Sequence, residues 1–310
     1  MKVDKQKKGQ RDLSLRVSYR CNQNCIFCAY GDVKQTNNKV ATFDEIEDAL
    51  KKSKKDYDIL ELTTSSEPTI RKDFFRIIEL AHKLGYQIEL VTNGRMLSYE
   101  KFCSKLKPSD IKLIVLSLHG PNAEIHDATT RTKGSFDQVV QAIKNMKKQN
   151  LNMLGQIILT KINYNHLQDT VKLMVQLGMT ELRITFPDPY GNAELDFDNV
   201  VPTYSEIAPS VNQALLWLEN ENEVHIDIKS FPPCCINKKF RHLTAKGINT
   251  AVITLNDENV PFYITKVWRV MSVKQKFESC KECIYEPKCE GVWKNYVKRR
   301  GIEEFKPVKD

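Results

Sequence analysis

The sequence predicts an α/β chain built on a parallel β-sheet, followed by a smaller α+β segment. Two observations carry this. From residue 13 to 186, short β-rich runs alternate with amphipathic runs in six β–α repeats. Such alternation argues for a parallel sheet with helices packed outside it. Beyond residue 200 the rhythm stops and a second set of cysteines begins.

The elements follow in order. Residues 13–19 alternate apolar and polar, as a half-buried strand does, and lead into a cysteine-rich loop. Thr42-Phe43-Asp44-Glu45 has the form of a capping box, with Ile46, Ala49 and Leu50 at helical spacing behind it. Strands are expected at 59–63, 87–91, 112–117, 152–159 and 181–186, and helices at about 72–83, 99–106 and 165–177. Ser135-Phe136-Asp137-Gln138 predicts a capped helix running to about Gln149. Gly178 stands where a helix C-cap belongs. Cys103 sits in a helix pattern with Phe102 and Leu106 and reads as a small buried residue. In the last third, 202–219 reads as a capped helix and 224–228 as a strand.

The chain has 310 residues, 41% hydrophobic and 28% charged, with a net charge of +8. This is an ordinary globular composition for one large domain, or one large and one small. Its longest apolar runs, such as 111–116, are strand-sized, and no membrane span is predicted. The positive charge is spread through lysine-rich stretches such as 51–55 and reads as solvated helix faces, so nucleic acid is not expected as a partner. The first eight residues are basic and polar, without the apolar core of a signal peptide. Nine cysteines in such a chain point to a reducing, cytoplasmic setting and to metal.

The chemistry is concentrated in Cys21, Cys25 and Cys28, spaced C-x3-C-x2-C with Phe27 before the last. Three thiolates this close can each ligate one iron of a 4Fe–4S cube, which leaves the fourth iron open to a ligand that is not protein. A zinc site would close four ligands, often as two C-x2-C pairs, and no histidine lies near in sequence to complete one.

This motif resembles the signature of radical S-adenosylmethionine (radical SAM) enzymes. The resemblance covers about residues 13–193. It implies an open, six-stranded partial (β/α)6 barrel in which the fourth iron chelates the amino and carboxylate groups of SAM. An electron from the cluster then cleaves SAM to methionine and a 5′-deoxyadenosyl radical. Function in barrel-like sheets gathers at the C-terminal strand ends, and the motifs fall there. After the first strand comes the cysteine loop, where the resemblance gives the Phe27 backbone a contact with the SAM adenine. After the second comes Ser65-Ser66-Glu67-Pro68, where the family carries Gly-Gly-Glu-Pro against the SAM amino group. Glu67 and Pro68 match, while Ser65 and Ser66 approach less freely than glycine. After the third comes Thr92-Asn93-Gly94, matching the family's Thr-Asn-Gly. After the fourth come Ser117 and, fourteen residues on, Arg131, which the resemblance assigns to the SAM ribose and carboxylate. Arginine suits a carboxylate because its fork matches two oxygens. His119 stands where many relatives carry aspartate and is a candidate substrate contact or a plain hydrogen-bonding residue. Asp188 and Tyr190, in the loop after the sixth strand, are further candidate substrate contacts, weighed against a loop that only turns the chain.

The tail offers Cys234-Cys235 and the run Cys280-x2-Cys283-x5-Cys289-x-Gly291. Four thiolates from these suit a closed 4Fe–4S cluster or a structural zinc. The tail is similar to the auxiliary-cluster extensions of radical SAM enzymes, called SPASM or twitch domains, but lacks the last cysteine of that pattern. One auxiliary cluster is therefore expected, on Cys280, Cys283, Cys289 and one of Cys234 or Cys235, with Cys235 preferred. The expected organisation is a basic extension over 1–12, the partial barrel over 13–200 and the auxiliary domain over 201–310.

The resemblance implies an oxidoreductase that abstracts a substrate hydrogen atom, with the closed auxiliary cluster serving electron transfer or structural support. The expected substrate is a peptide or small molecule, with a peptide preferred. About a dozen residues precede the first strand, so a separate peptide-recognition protein is a candidate partner. The reductant would be a carrier such as flavodoxin or ferredoxin. The alternatives are dehydrogenation of a sugar or aminocyclitol, modification of RNA, or a non-catalytic metal-stabilised binding protein.

Overall fold

The computed structural model describes residues 12–31, 40–62, 66–221, 223–244, 250–254, 264–265 and 273–309. Of the expected 1–12 extension only Asp12 lies among them.

The first two-thirds follow the predicted alternation. Its elements are β1 (Asp12–Arg16), α1 (Phe43–Ser53), β2 (Ile59–Leu62), α2 (Phe74–Lys83), β3 (Gln87–Thr92), α3 (Glu100–Cys103), β4 (Leu113–Ser117), α4 (Ala123–Thr130), α5 (Ser135–Lys148), β5 (Met153–Ile158), α6 (Leu167–Gln176) and β6 (Glu181–Thr185). The chain continues through α7 (Asn192–Leu195), α8 (Phe197–Val200), α9 (Tyr204–Leu218), β7 (His225–Lys229), β8 (Thr250–Thr254), β9 (Ile264–Thr265), β10 (Lys274–Gln275), β11 (Val292–Trp293) and α10 (Lys294–Arg300).

The Thr42 capping box forms as expected. The Thr42 hydroxyl accepts from the Glu45 amide at 3.3 Å, and the Glu45 carboxylate accepts from the Thr42 amide at 2.7 Å. A second box, Thr203 with Glu206, opens α9. Gly178, at φ +86°, ends α6 where the C-cap was predicted.

One cap departs from expectation. Ser135 is the first residue of α5 and does not cap it. Asp127 of α4 caps it from the side, accepting from the Gly134 amide (2.6 Å), the Phe136 amide (2.8 Å) and the Ser135 hydroxyl (2.8 Å). Burial works against the charge of Asp127. The three donors outweigh it and hold this carboxyl below its usual range.

The main sheet has nine strands among the described residues, in the order β7-β6-β5-β4-β3-β2-β1-β8-β9. All neighbours are parallel except β8 and β9. The six predicted strands form its centre. The strand expected at 224–228 joins them beside β6, and β8 joins beside β1, so the sheet crosses the domain boundary expected at residue 200. Leu13, Leu60 and Ile88 lie in register across β1, β2 and β3 and are fully buried. Each such side chain contributes about 2 kcal/mol of transfer free energy. Because the pairing is parallel, the C-terminal ends of β1 to β7 share one edge, and the loops of the candidate site hang from it.

Candidate functional site

The cysteine loop leaves β1 and is tied to four separate strand-end segments. The Glu67 amide donates to Arg20 O at 3.0 Å and the Ile26 amide donates to Thr129 O at 3.0 Å. Arg95, just past β3, donates from its guanidinium to Asn22 O and, at 2.6 Å, to Gln138 Oε1 of α5. Asn192, at the start of α7, reaches Cys25 and Cys28 from the far side of the sheet. Cys21, Cys25 and Cys28 are all half-buried and none is in a disulfide. Three thiols on one braced loop, able to bind as thiolates, are the donor chemistry an iron–sulfur cube requires.

The neighbouring loops supply polar groups. Glu67 is buried, with Oε1 accepting from the Thr69 amide (3.1 Å), the Thr69 hydroxyl and the Thr92 hydroxyl (2.7 Å), and Oε2 from the Asn93 amide (2.8 Å). Burial raises its carboxyl above the ordinary value, and these donors oppose the rise. The side chain thereby braces the ends of β2 and β3. Asn93 donates from Nδ2 to Asn22 Oδ1 at 2.8 Å and lies 3.9 Å from Cys21 Sγ. Among the described residues the Ser66 hydroxyl is buried and has no hydrogen-bond partner, an orphan of the kind a bound polar ligand would satisfy. Ser65 lies outside the described residues.

His119 is buried beyond the end of β4. Its Nδ1 accepts from the Ile158 amide at 3.2 Å, and its ring meets that of Phe27 edge-on at 4.7 Å. Its own amide donates to His126 Nδ1 at 3.0 Å. Burial, reinforced by His126, pushes the His119 imidazole well below its usual pKa, so it stays neutral. The hydrogen-bonding reading of His119 accounts for its Nδ1, which already accepts from an amide. Burial also drives His126 down to about 4. Ser117 ends β4, half-buried. Arg131 ends α4 in the left-handed conformation at φ +51°, with its side chain exposed.

The loop after β6 faces two ways. Tyr190 meets Trp293 edge-on at 6.0 Å and donates to Val273 O at 3.5 Å, and Asn295 donates to Pro189 O at 3.3 Å. Asp188 accepts the Tyr190 amide through its backbone at 2.8 Å. Two residues further on, Gly191 and Asn192 press on the cysteine loop.

In the tail, Cys234, Cys280, Cys283 and Cys289 line one cavity with Phe277, Tyr285 and Phe305. Backbone amides donate to three of these sulfurs: Phe277 to Cys280 (3.4 Å), Val308 to Cys283 (3.4 Å) and Gly291 to Cys289 (3.3 Å). Gly291 sits at φ +81°, and a Cβ there would stand 2.3 Å from Gln275 O. Cys235 lines a second cavity with Ser205, Ala208 and Glu304, its sulfur 3.9 Å from Glu304 O. Cys234 lines both cavities, and the two sulfurs are 3.9 Å apart. Cys234 is thus the one of the pair that shares a cavity with Cys280, Cys283 and Cys289, whereas the sequence favoured Cys235. Hydrogen bonding from Cys235 lowers the Cys234 thiol, and the same contact with burial raises that of Cys235. Among the described residues no three His, Cys, Asp or Glu side chains converge as a single metal ion would require.

The sequence reading missed Arg95, Asp127, Asn192 and the buried Lys274, which pairs with Glu290 at 2.7 Å and lies 4.4 Å from the Trp293 ring. The signal for Asn192 was present, as a Gly-Asn pair directly after a strand-end loop.

Comparison with known proteins agrees with this geometry. The chain is 29% identical over 247 residues to the mycofactocin maturase MftC of Mycolicibacterium smegmatis, covering 79% of this chain and 58% of MftC. It is 25% identical over 221 residues to the AdoMet-dependent heme synthase of Methanosarcina barkeri, covering 71% of this chain and 61% of that protein. The chain thus spans about three-fifths of the length of both relatives. Streptococcus suis SuiB bound to its precursor peptide SuiA shares the fold, with a TM-score of 0.67 over 96% of this chain and 75% of SuiB at 14% identity. The profile of the Radical SAM superfamily matches residues 15–174, just over half of the 310 residues, and the chain belongs to that superfamily.

Proposed function

We propose that this chain is a peptide-modifying radical SAM oxidoreductase with one auxiliary 4Fe–4S cluster. When bound at Cys21, Cys25 and Cys28, the first cluster supplies the electron that splits SAM to a 5′-deoxyadenosyl radical able to take a substrate hydrogen atom. The remaining work belongs to the protein, which orients the reactants and keeps water out. Ser66 and the backbone beside Glu67 and Asn93 would hold the SAM amino group. Ser117 serves the ribose. Arg131, exposed at the end of α4, meets the carboxylate with its fork. Phe27 covers the adenine side and is backed by the edge of His119. Asp188 and Tyr190 would meet the substrate from the loop after β6, where Tyr190 also packs on Trp293 of the tail.

The single observation that carries the auxiliary cluster is the shared cavity of Cys234, Cys280, Cys283 and Cys289. Four thiols around one space are the donor set a closed cube takes, and a structural zinc would use the same four. Amide hydrogen bonds to the sulfurs are a recognised means of tuning cluster potential. Four thiolates close the cluster, which favours a role as electron acceptor in a net oxidation, with flavodoxin or ferredoxin as reductant to the first. The peptide assignment draws on the peptide-bound relative SuiB and the maturase MftC.

The test is anaerobic incubation of reconstituted protein with dithionite, SAM and candidate precursor peptides. The expected result is 5′-deoxyadenosine formed in step with a loss of two hydrogen masses or a cross-link in one peptide. Stoichiometric 5′-deoxyadenosine with a tetrapyrrole or sugar, and none of the peptides altered, would overturn the peptide assignment.

A further inference from the structure

We propose that Asn192 is a positioning residue for the first cluster, acting as a clamp on the cysteine loop from the opposite edge of the six-stranded core. Three hydrogen bonds from this one residue reach that loop. Its Nδ2 donates to Asn24 Oδ1 at 2.9 Å and to Cys25 O at 2.9 Å. Its amide donates to Cys28 O at 2.9 Å. Two of the three cluster cysteines are therefore fixed through their own carbonyls by a residue 167 positions away from Cys25.

The space for this clamp is built on both sides. A Cβ on Gly31 would sit 2.0 Å from Asn192 Oδ1. Gly191 adopts φ +58°, and a Cβ there would lie 2.6 Å from both Cys28 O and Ala29 C. Two glycines thus let the loops approach more closely than any side chain would allow. Asn192 is 4% exposed, so its amide group has no water to fall back on and its hydrogen bonds are not exchanged for solvent.

The other ties on the loop come from segments after β2, β3 and β4. Among the described hydrogen bonds, those from α7 alone bridge from beyond β6, and β6 is separated from β1 by four intervening strands. An open sheet has nothing in its own pairing to hold these two ends at a fixed separation. Asn192 closes that gap at the edge where the cysteines sit. The groups that hold metal ligands in orientation commonly change metal affinity or activity by about 10- to 100-fold when removed. Asn192 does so through ligand backbone instead of ligand side chain. The same short loop carries Pro189 and Tyr190, which the tail grips through Asn295 and Trp293, so the clamp also registers the position of the tail.

The experiment measures iron release from the reconstituted full chain to a chelator, together with the electron paramagnetic resonance spectrum of the reduced protein before and after SAM. The phase that vanishes in the Cys21/Cys25/Cys28→Ala protein belongs to the first cluster. Asn192→Ala and Asn192→Asp should both speed that phase by about 10- to 100-fold and alter the spectral change on SAM addition, while the tail phase keeps its rate. Asn192→Asp matters because it keeps the shape and loses the donor. Wild-type release and spectra in both variants would overturn the clamp, and so would a defect in Asn192→Ala alone, which would reduce Asn192 to a space-filler. Far-UV circular dichroism establishes that each variant is folded. The inference rests on the radical SAM reading of the first three cysteines, and the wild-type control tests that separately: a wild type with no such phase overturns the cofactor assignment itself.

Discussion

Two neutral histidines set an acid limit on this fold. His119 and His126 are each about 1% exposed, and both imidazoles are pushed below their ordinary range, His126 to about 4. In the unfolded chain each takes up a proton near pH 6.5. Below that pH the unfolded state binds more protons than the folded one, so stability is full above about 6.5 and falls as the pH drops towards 4. Each histidine contributes a slope of up to about 1.4 kcal/mol per pH unit. Anaerobic urea unfolding between pH 7 and pH 5 should show this loss, and His126→Gln should flatten the slope by about one proton. An unchanged slope in that variant would contradict the assignment. The legibility of residues divides along the same physical line. Cys21, Cys25, Cys28, Cys280, Cys283 and Cys289 stand out in the sequence because ligand spacing is itself a pattern. Cys234 and Cys235 do not separate there, because adjacent residues share a spacing and only the fold sets which cavity each sulfur lines.

At the scale of elements, helix α5 depends on a residue outside it. Asp127 supplies three acceptor contacts to its first turn, and its carboxyl is held below the usual range. That contribution is present above the unfolded carboxylate pKa of about 3.9 and is lost as the pH falls through the lower folded value. Asp127→Ala should cost about 1–2 kcal/mol, in line with strong helix caps, while Ser135→Ala should cost less because Asp127 keeps two backbone donors. Chemical denaturation of both variants at pH 7 checks the order, and a larger loss for Ser135→Ala would contradict it. Thr42 and Thr203 were legible as caps because their partners lie three residues on. Asp127 was not, because its partners begin seven residues away across a left-handed turn at Arg131. The strand at 224–228 was likewise readable from its alternation, but its place beside β6 depends on tertiary pairing.

Across the whole molecule, the sheet edge brings two sets of cysteines into one mechanical frame. The first set hangs from β1 and is braced by loops from β2, β3, β4 and β6. The second surrounds a cavity in the tail, and Lys274 joins the tail to the end of β7 through Ser230 Oγ at 3.2 Å and Glu290 Oε2 at 2.7 Å. The loop from Phe186 to Asn192 touches Cys25 and Cys28 directly and meets the tail at Val273, Trp293 and Asn295. The β–α order made the parallel sheet legible. Of the strands added at its edges, β7 was legible as a strand but not in its place, and β8 and β9 escaped, because nothing in the repeat pattern says where a sheet stops. The central proposal is that the chain holds two separate cubes, the second closed by Cys234. Iron and sulfide per chain after anaerobic reconstitution test it directly, in the wild type and in Cys21/Cys25/Cys28→Ala, Cys234→Ala and Cys235→Ala. One cube per cysteine set predicts about eight irons in the wild type and in Cys235→Ala, and about four in the other two. About four irons in the wild type with zinc in the tail, or a loss in Cys235→Ala and none in Cys234→Ala, would contradict the account.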